Sequence, residues 1–408
     1  LVREWLRQLA EQGINADELE QQLLITSPTI KQIIDRLKNT YGSNRNQYDF
    51  SHEVMEAMNG CLACKACASQ CPIKVDVPSF RSRFMNIYYS RYQRPAKDYL
   101  VAYVENVLPL MAKAPVIVNS IIRPQWSKKL TVNAIGYVDM PLLSVPTLTE
   151  SLDGHHALCF DMQWLQALSD HERQNYVLIV QDPFTSFYDA QVVRDFIHLV
   201  EKLGKKPILL PFKPNGKAQH VKGFLKAFAK TASSTADFLN QLAVLNIPMV
   251  GIDPALVLCY RDEYTEVLQQ GRGKFTVLTA HEWLLPLLQQ VPQRPALNDK
   301  PWYLFAHCTE KTKLPNAEKQ WGAIFTHFGG VMESVPVGCC GMAGTFGHES
   351  DKLEASKSVF NLSWKEKIDQ YDPIRCMATG YSCRSQVKRL EHIQFKHPVQ
   401  VLLQLVDL

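Results

Sequence analysis

The placement of the cysteines constrains this chain more than any other feature. There are eleven in 408 residues, and they are unevenly spread. Cys61, Cys64, Cys67 and Cys71 fall within eleven residues. Cys308, the adjacent pair Cys339 and Cys340, Cys376 and Cys383 gather in the last quarter, while Cys159 and Cys259 stand alone. An adjacent pair cannot easily close an unstrained disulfide on itself. A tight Cys-x-x-Cys run in a chain of this size, with no secretory signal, points to metal binding or redox chemistry in a reducing compartment. The expected location is therefore cytoplasmic, with peripheral attachment to the inner membrane left open. The chain is long enough to bury its cores without disulfides, and about two to four domains suit its length.

The first group reads Cys61-x-x-Cys64-x-x-Cys67-x-x-x-Cys71-Pro72. Two-residue gaps let one backbone turn aim successive thiolates at neighbouring corners of a cube. The longer gap and Pro72 then turn the fourth sulfur away. This is the ligand run of bacterial-type [4Fe–4S] sites, in which the fourth cysteine serves a neighbouring cluster when two are present. The competing reading is a zinc knuckle, which ordinarily uses two separated pairs or adds histidine. Residues 1–150 contain no second such motif, so either Cys71 closes its own cluster or its partners lie upstream of Leu1. His52 is close in sequence but suits a solvent-facing place on the preceding helix.

The second group is Cys308, Cys339-Cys340-Gly341, Cys376 and Cys383. Each is expected at or near a strand end, where an α/β layer assembles sites from distant sequence. Gly338, Gly341 and Gly344 would let the backbone approach a bulky ligand. A metal or iron–sulfur site is expected, with zinc or a redox disulfide as rivals. His307 and His348 lie beside these cysteines and are read as solvated or core residues. Cys159 and Cys259 read as small buried apolar residues.

Residues 1–112 have helical periodicity. Ser27-Pro28 opens a helix with Ile30, Ile33, Ile34 and Leu37 on its apolar face, and Val77-Pro78 opens another. Leu1, Val2, Trp5, Leu6 and Leu9 already stand in helical register, so the expectation is a chain cut from a longer one. Residues 113–175, with four prolines, read as a linker. From 176 the pattern alternates strand and helix, the mark of an α/β layer fold. Moving the second half back by 126 residues lays WYLFAHC on YVLIVQD, Gly330 on Gly204 and IRCMATG on PMVGIDP. An internal repeat is expected, with one half (176–300) lacking ligands and the other (301–408) carrying them. On that alignment Cys376 faces Val250.

Other chemistry is thin. The net charge is +4 from 44 basic and 40 acidic residues, too balanced to argue for nucleic acid. No apolar run reaches the ~18–20 residues of a membrane span. There is no Gly-x-Gly-x-x-Gly after a strand and no P-loop, so no nucleotide site is expected on this chain. The lysines around 205–217 read as a solvated face.

The stretch GCLACKACASQCPIKVDVPSFRSRF resembles the second half of the two-cluster ferredoxin domain of FAD-linked 2-hydroxy-acid dehydrogenases. CTEKT, VPVGCCGMAGTFGHE and CMATGYSCRSQ resemble the cysteine-rich CCG domain, which occurs in the iron–sulfur subunits of glycolate oxidase and anaerobic glycerol-3-phosphate dehydrogenase and in heterodisulfide reductase. The combination, over nearly the whole chain, is most similar to the C-terminal part of bacterial fused FAD/iron–sulfur D-2-hydroxyglutarate dehydrogenases. The resemblance implies a helical ferredoxin-like part followed by an α/β domain of two CCG-type pseudo-repeats. It implies [4Fe–4S] clusters on this chain, and FAD not on this chain but on an oxidase domain upstream in the same protein or in a separate subunit. Cys61, Cys64 and Cys67 would bind one cluster, Cys71 its neighbour, and Cys308, Cys339, Cys340 and Cys383 a further centre. The usual final Cys-x-x-Cys is here Gly380-Tyr381-Ser382-Cys383, with Cys376 four residues before Gly380, which leaves that ligand set open. The function implied is transfer of electrons from flavin to an external acceptor, a quinone or an electron-transfer protein. The rivals are a standalone iron–sulfur subunit of a glycerol-3-phosphate or glycolate dehydrogenase, and a zinc-stabilised interaction protein.

Overall fold

Helix-opening side chains and short buried strands divide the chain as its periodicities suggest. The structure is a computed structural model, and it describes residues 1–73, 75–297 and 300–407, with Gln70 described by its backbone alone. Two compact units result. One comprises Leu1–Val104 with Gly216–Ala232, and the other Glu105–Asn215 with Ser233–Leu408.

The first unit is helical. Asn15 caps Ala16–Ile25, Thr29 and Gln32 form a capping box on Ile30–Tyr41, and Asp76 caps Val77–Arg91. These side chains satisfy N–H groups that a helix start leaves unpaired. Trp5, Leu9, Val54, Phe84 and Ile87 form the core, and Trp5 Nε1 donates to Ser51 Oγ at 3.1 Å. The Ile30–Tyr41 helix differs from expectation in its packing. Ile30, Ile33, Ile34 and Leu37 stay exposed, because the helix docks by polar contacts: Arg36 Nε to Ser90 O and Asn39 Nδ2 to Arg91 O, both 3.0 Å. The segment 216–232 joins this unit through Arg94. Its guanidinium lies 4.1 Å from the Tyr89 ring and 3.9 Å from the Phe224 ring. It also donates to the carbonyls of Lys222 and Gly223, while Lys222 Nζ sits 2.9 Å from Asp98. The expected boundaries at 112 and 176 therefore miss an insertion.

The second unit holds seven strands: β1 (Tyr176–Val180), β2 (Lys206–Leu209), β3 (Met249–Gly251), β4 (Val277–Thr279), β5 (Trp302–Phe305), β6 (Met332–Ser334) and β7 (Cys376–Ala378). They form two parallel sheets, ordered β2-β1-β3-β4 and β6-β5-β7. Tyr176 pairs with Lys206 and Trp302 with Met332, so the 126-residue offset holds across the first two strands of each half. It slips by two at the third, where Leu178 pairs with Met249 but Leu304 with Met377. In place of a fourth strand, the second sheet has a single parallel bridge between Met377 and Lys396. The closing helices are exchanged. Ala280–Leu287 packs on Ala317–His327, and Pro398–Asp407 packs on Ala190–Lys202. One apolar core consequently runs through both halves, taking in Val177, Phe196, Trp283, Leu304, Trp321 and Leu402.

The stretch 113–175 is not the linker expected. It contains the helices Pro115–Ile122, Gln125–Ile135 and Met162–Ala167. Pro115 stands in the first turn of one helix and Pro124 precedes another, positions where a missing N–H costs nothing. Buried Asn119 ties this stretch down by pairing with both backbone groups of Leu143 at 2.9 Å.

Candidate metal centres

In the helical unit, Cys61 and Cys64 lie in the loop after Ser51–Asn59, Cys67 lies within the short helix Ala66–Gln70, and Cys71 follows that helix. Two non-glycine residues between the cysteines, Ala63 (φ 50°) and Lys65 (φ 59°), are left-handed. Such strain persists only where surrounding structure enforces it, commonly at ligand clamps. Burial pushes the Cys61 thiol up, while the Ala63 N–H and Arg81 pull the other way and Cys64 and Cys67 add to the rise. Cys61, Cys64 and Cys67 thus lie close enough to feel one another. Cys71 caps the following helix, its N–H donating to Cys67 O at 3.0 Å. Nearby Lys65 is buried, with Nζ 3.7 Å from Asp76. Outside this loop, His52 Nδ1 meets the Tyr88 hydroxyl at 2.8 Å.

In the α/β unit, four thiols form a continuous chain of side-chain contacts, Cys308 to Cys339 to Cys340 to Cys383. They come from three places: the start of the helix after β5, the loop after β6, and the helix after β7. All three follow the carboxyl ends of strands, where parallel sheets gather ligands. Its contact with Cys339, then burial, holds Cys308 well above the ordinary thiol range. Cys339 is drawn down by Cys308 but driven up by Cys340 and burial, to about 12. Crowded thiols, two on buried and two on half-buried cysteines, that cannot all ionise unaided are a donor set suited to a cation, and a soft one by ligand type. Gly341 donates its N–H to Cys339 Sγ at 3.4 Å, a contact that orients a thiolate. It does so in a left-handed conformation (φ +80°), where an added Cβ would fall 2.2 Å from Ser356 O.

Cys376 is not brought to this group. It is the first residue of β7, at the amino end of the strand, and its thiol donates to Asp372 O at 3.3 Å. Burial, then Asp372, raises it to about 12. Cys259 is buried as expected, but Cys159 is exposed. His307 caps the helix that begins at Cys308. Its Nδ1 accepts from Thr309 N at 3.3 Å, and Nε2 meets Ser382 Oγ at 3.4 Å. His348 Nδ1 lies 3.0 Å from Val138 O.

Around the thiols stand buried acids that the sequence pattern does not single out. Asp182 caps the helix after β1 and Asp253 the one after β3. Asp253 Oδ2 accepts from Tyr381 N at 2.8 Å, joining one half to the other. Burial, then Asp253, lifts Asp182 to about 6. Burial lifts Glu310 to about 7, against the Thr379 hydroxyl that donates to it. The signal was available: Asp-Pro follows two strands, an N-cap with proline at N1. A separate cluster sets His155, His156 and His198 about Glu201 at 3.2–3.3 Å. His155 Nδ1 accepts from Ala157 N, which places its proton on Nε2, so this cluster reads as hydrogen bonds to one carboxylate.

No family model and no solved structure matches the chain. Among curated proteins, D-2-hydroxyglutarate dehydrogenase of Pantoea ananatis is 56% identical over 406 residues, all of this chain and 40% of that protein. The protein of the same name from Escherichia coli is 55% identical with the same coverage. The chain thus spans about two fifths of the length of these relatives and aligns with their C-terminal part. One subunit of the anaerobic glycerol-3-phosphate dehydrogenase of Escherichia coli is 21% identical over 256 residues, 59% of this chain and 62% of that protein.

Proposed function

We propose, from the chain-long match to the C-terminal part of proteins named D-2-hydroxyglutarate dehydrogenase, that this chain is the electron-transfer portion of such an enzyme. In this reading, oxidation of D-2-hydroxyglutarate to 2-oxoglutarate takes place on an FAD-binding oxidase part outside the chain. The chain carries the electrons on to an external acceptor, a quinone or an electron-transfer protein. Iron–sulfur clusters, when bound, supply one-electron chemistry whose potential follows ligation, hydrogen bonds to sulfur and burial.

The observation that carries the reading is the convergence of Cys308, Cys339, Cys340 and Cys383 from three separate elements. These four would hold one centre. Cys61, Cys64 and Cys67 would hold another, with Cys71 either closing it or serving a neighbour. The N–H groups of Gly341 and Ala63 would favour the thiolate forms of Cys339 and Cys61. Among the described residues, no helix is long and apolar enough to cross a membrane.

The test uses the full-length protein under anaerobic conditions. D-2-hydroxyglutarate should bleach the broad absorbance near about 400 nm that iron–sulfur thiolates give. Glycerol-3-phosphate and glycolate should not. Bleaching of the flavin alone would contradict the electron-transfer role, and bleaching by glycerol-3-phosphate would favour the rival reading as part of a glycerol-3-phosphate dehydrogenase.

A further inference from the structure

A cavity of about 530 Å³ lies in the α/β unit, against the helix that carries Cys383. Tyr381, Ser385, Lys388 and His392 line the cavity, while Cys383 and Val387 on the same helix turn into the core. The 3.6-residue period separates the two faces. The volume is that of a small-molecule site.

The charge of the lining is uneven. Five cationic side chains, Arg123, Lys128, Arg384, Lys388 and Arg389, meet only two carboxylates, Asp139 and Asp189. Each carboxylate already has an arginine. Arg384 reaches Asp189 at 2.9 Å, and its other N–H groups bond the carbonyls of Ala378 and Thr379. Arg389 Nε donates to Asp139 at 3.0 Å. Among the described residues, Arg123, Lys128 and Lys388 have no acidic partner within ion-pair distance.

Arg389 adds an independent observation. Its side chain is only 9% exposed, and its Nη2 is buried without a hydrogen-bond partner. Asp139, the Gly347 carbonyl and the Gln386 side chain fix the guanidinium in place, so its positive charge is held at this wall for an anion in the cavity. Met140, Pro141, Leu142 and Phe395 give the cavity an apolar stretch of wall as well. His348 also lines the cavity but adds no positive charge near neutrality, since burial and then Arg389 hold it down to about 4.

We propose that this cavity binds a small organic anion, with carboxylates or a phosphate among Lys128, Lys388 and Arg389 and an apolar body against Met140, Pro141, Leu142 and Phe395. The inference does not depend on which metal the thiols hold.

Calorimetric titration of the chain, purified with its bound metal, tests it. Three probes serve: phthalate, phenyl phosphate and inorganic phosphate. Phthalate or phenyl phosphate should saturate at one per chain and bind at least about tenfold more tightly than inorganic phosphate. The tighter of the two identifies the head group. In Lys128→Gln/Lys388→Gln the affinity should fall about tenfold, whereas Lys128→Arg/Lys388→Arg, which keeps both charges and controls for folding, should retain it. The proposal is overturned if neither organic probe saturates by about 10 mM, or if inorganic phosphate binds equally well. Equal binding by the glutamine variant would overturn it too.

Discussion

Gly341 and Gly344 have the same backbone handedness and different neighbours. Both have positive φ, +80° and +68°, but a Cβ on Gly341 would strike Ser356 O at 2.2 Å while one on Gly344 would meet nothing within 4 Å. Gly344→Ala should therefore cost only the left-handed penalty of about 1–2 kcal/mol. Gly341→Ala should cost more and also displace Cys339 and Cys340, lowering metal content at that centre. Thermal melting and metal analysis of both variants check this, and equal effects would contradict it. Cys376 offers a second contrast. Cys383→Ser should remove metal from the four-thiol centre, whereas Cys376→Ser should leave metal content unchanged. The sequence did not separate these two cysteines, because strand-end position is a matter of register: Cys376 begins β7, and the ligands follow its far end. His348 gives a pH prediction. Its folded pKa of about 4 lies below the ordinary 6.5, so the unfolded chain binds the proton more readily between those values. Its contribution is present above pH 6.5 and lost as pH falls toward 4, about 3 kcal/mol across the window. Urea titrations at both ends of that window should show His348→Gln, which can still donate to Val138 O, losing less stability on acidification than the parent. An equal loss in both proteins would contradict this.

At the scale of elements, alternating apolar runs made the strands after 176 legible, and their common spacing made the repeat visible. The two-residue slip at the third strand was not legible, since nothing in the letters shows that Leu304 pairs with Met377 rather than with Arg375. The helix-closing glycine also differs by one position: Gly329, not Gly330, takes the left-handed turn that matches Gly204. The helices within 113–175 were hidden because proline, a breaker in helix interiors, also opens helices. The exchange of closing helices was out of reach of any local pattern. It has a measurable consequence. Leu402, fully buried on Pro398–Asp407, packs in the core shared by both halves. Leu402→Ala should destabilise the α/β unit by about 3 kcal/mol. Urea unfolding monitored by far-UV circular dichroism would detect it, and a loss well under 1 kcal/mol would mean that the exchanged helix contributes little.

For the whole molecule, the two cysteine groups fall in different compact units, one built on helices and one on two parallel sheets. Cysteine spacing marked both groups in advance. Asp-Pro marks Asp182 and Asp253 as helix starts, but that these acids and Glu310 are buried beside the second group follows only from the fold. The insertion of 216–232 into the helical unit was likewise invisible, since its partners Arg94 and Asp98 lie more than a hundred residues away. The central claim is that the two groups hold separate iron–sulfur centres. The most direct measurement is iron and acid-labile sulfide per chain after anaerobic purification, for the parent, Cys67→Ser and Cys308→Ser/Cys383→Ser. The account predicts iron and sulfide in the parent, a partial loss in each variant, and a different part of the visible spectrum lost in each. Zinc in place of iron, or an iron content that the Cys308→Ser/Cys383→Ser pair leaves unchanged, would contradict it.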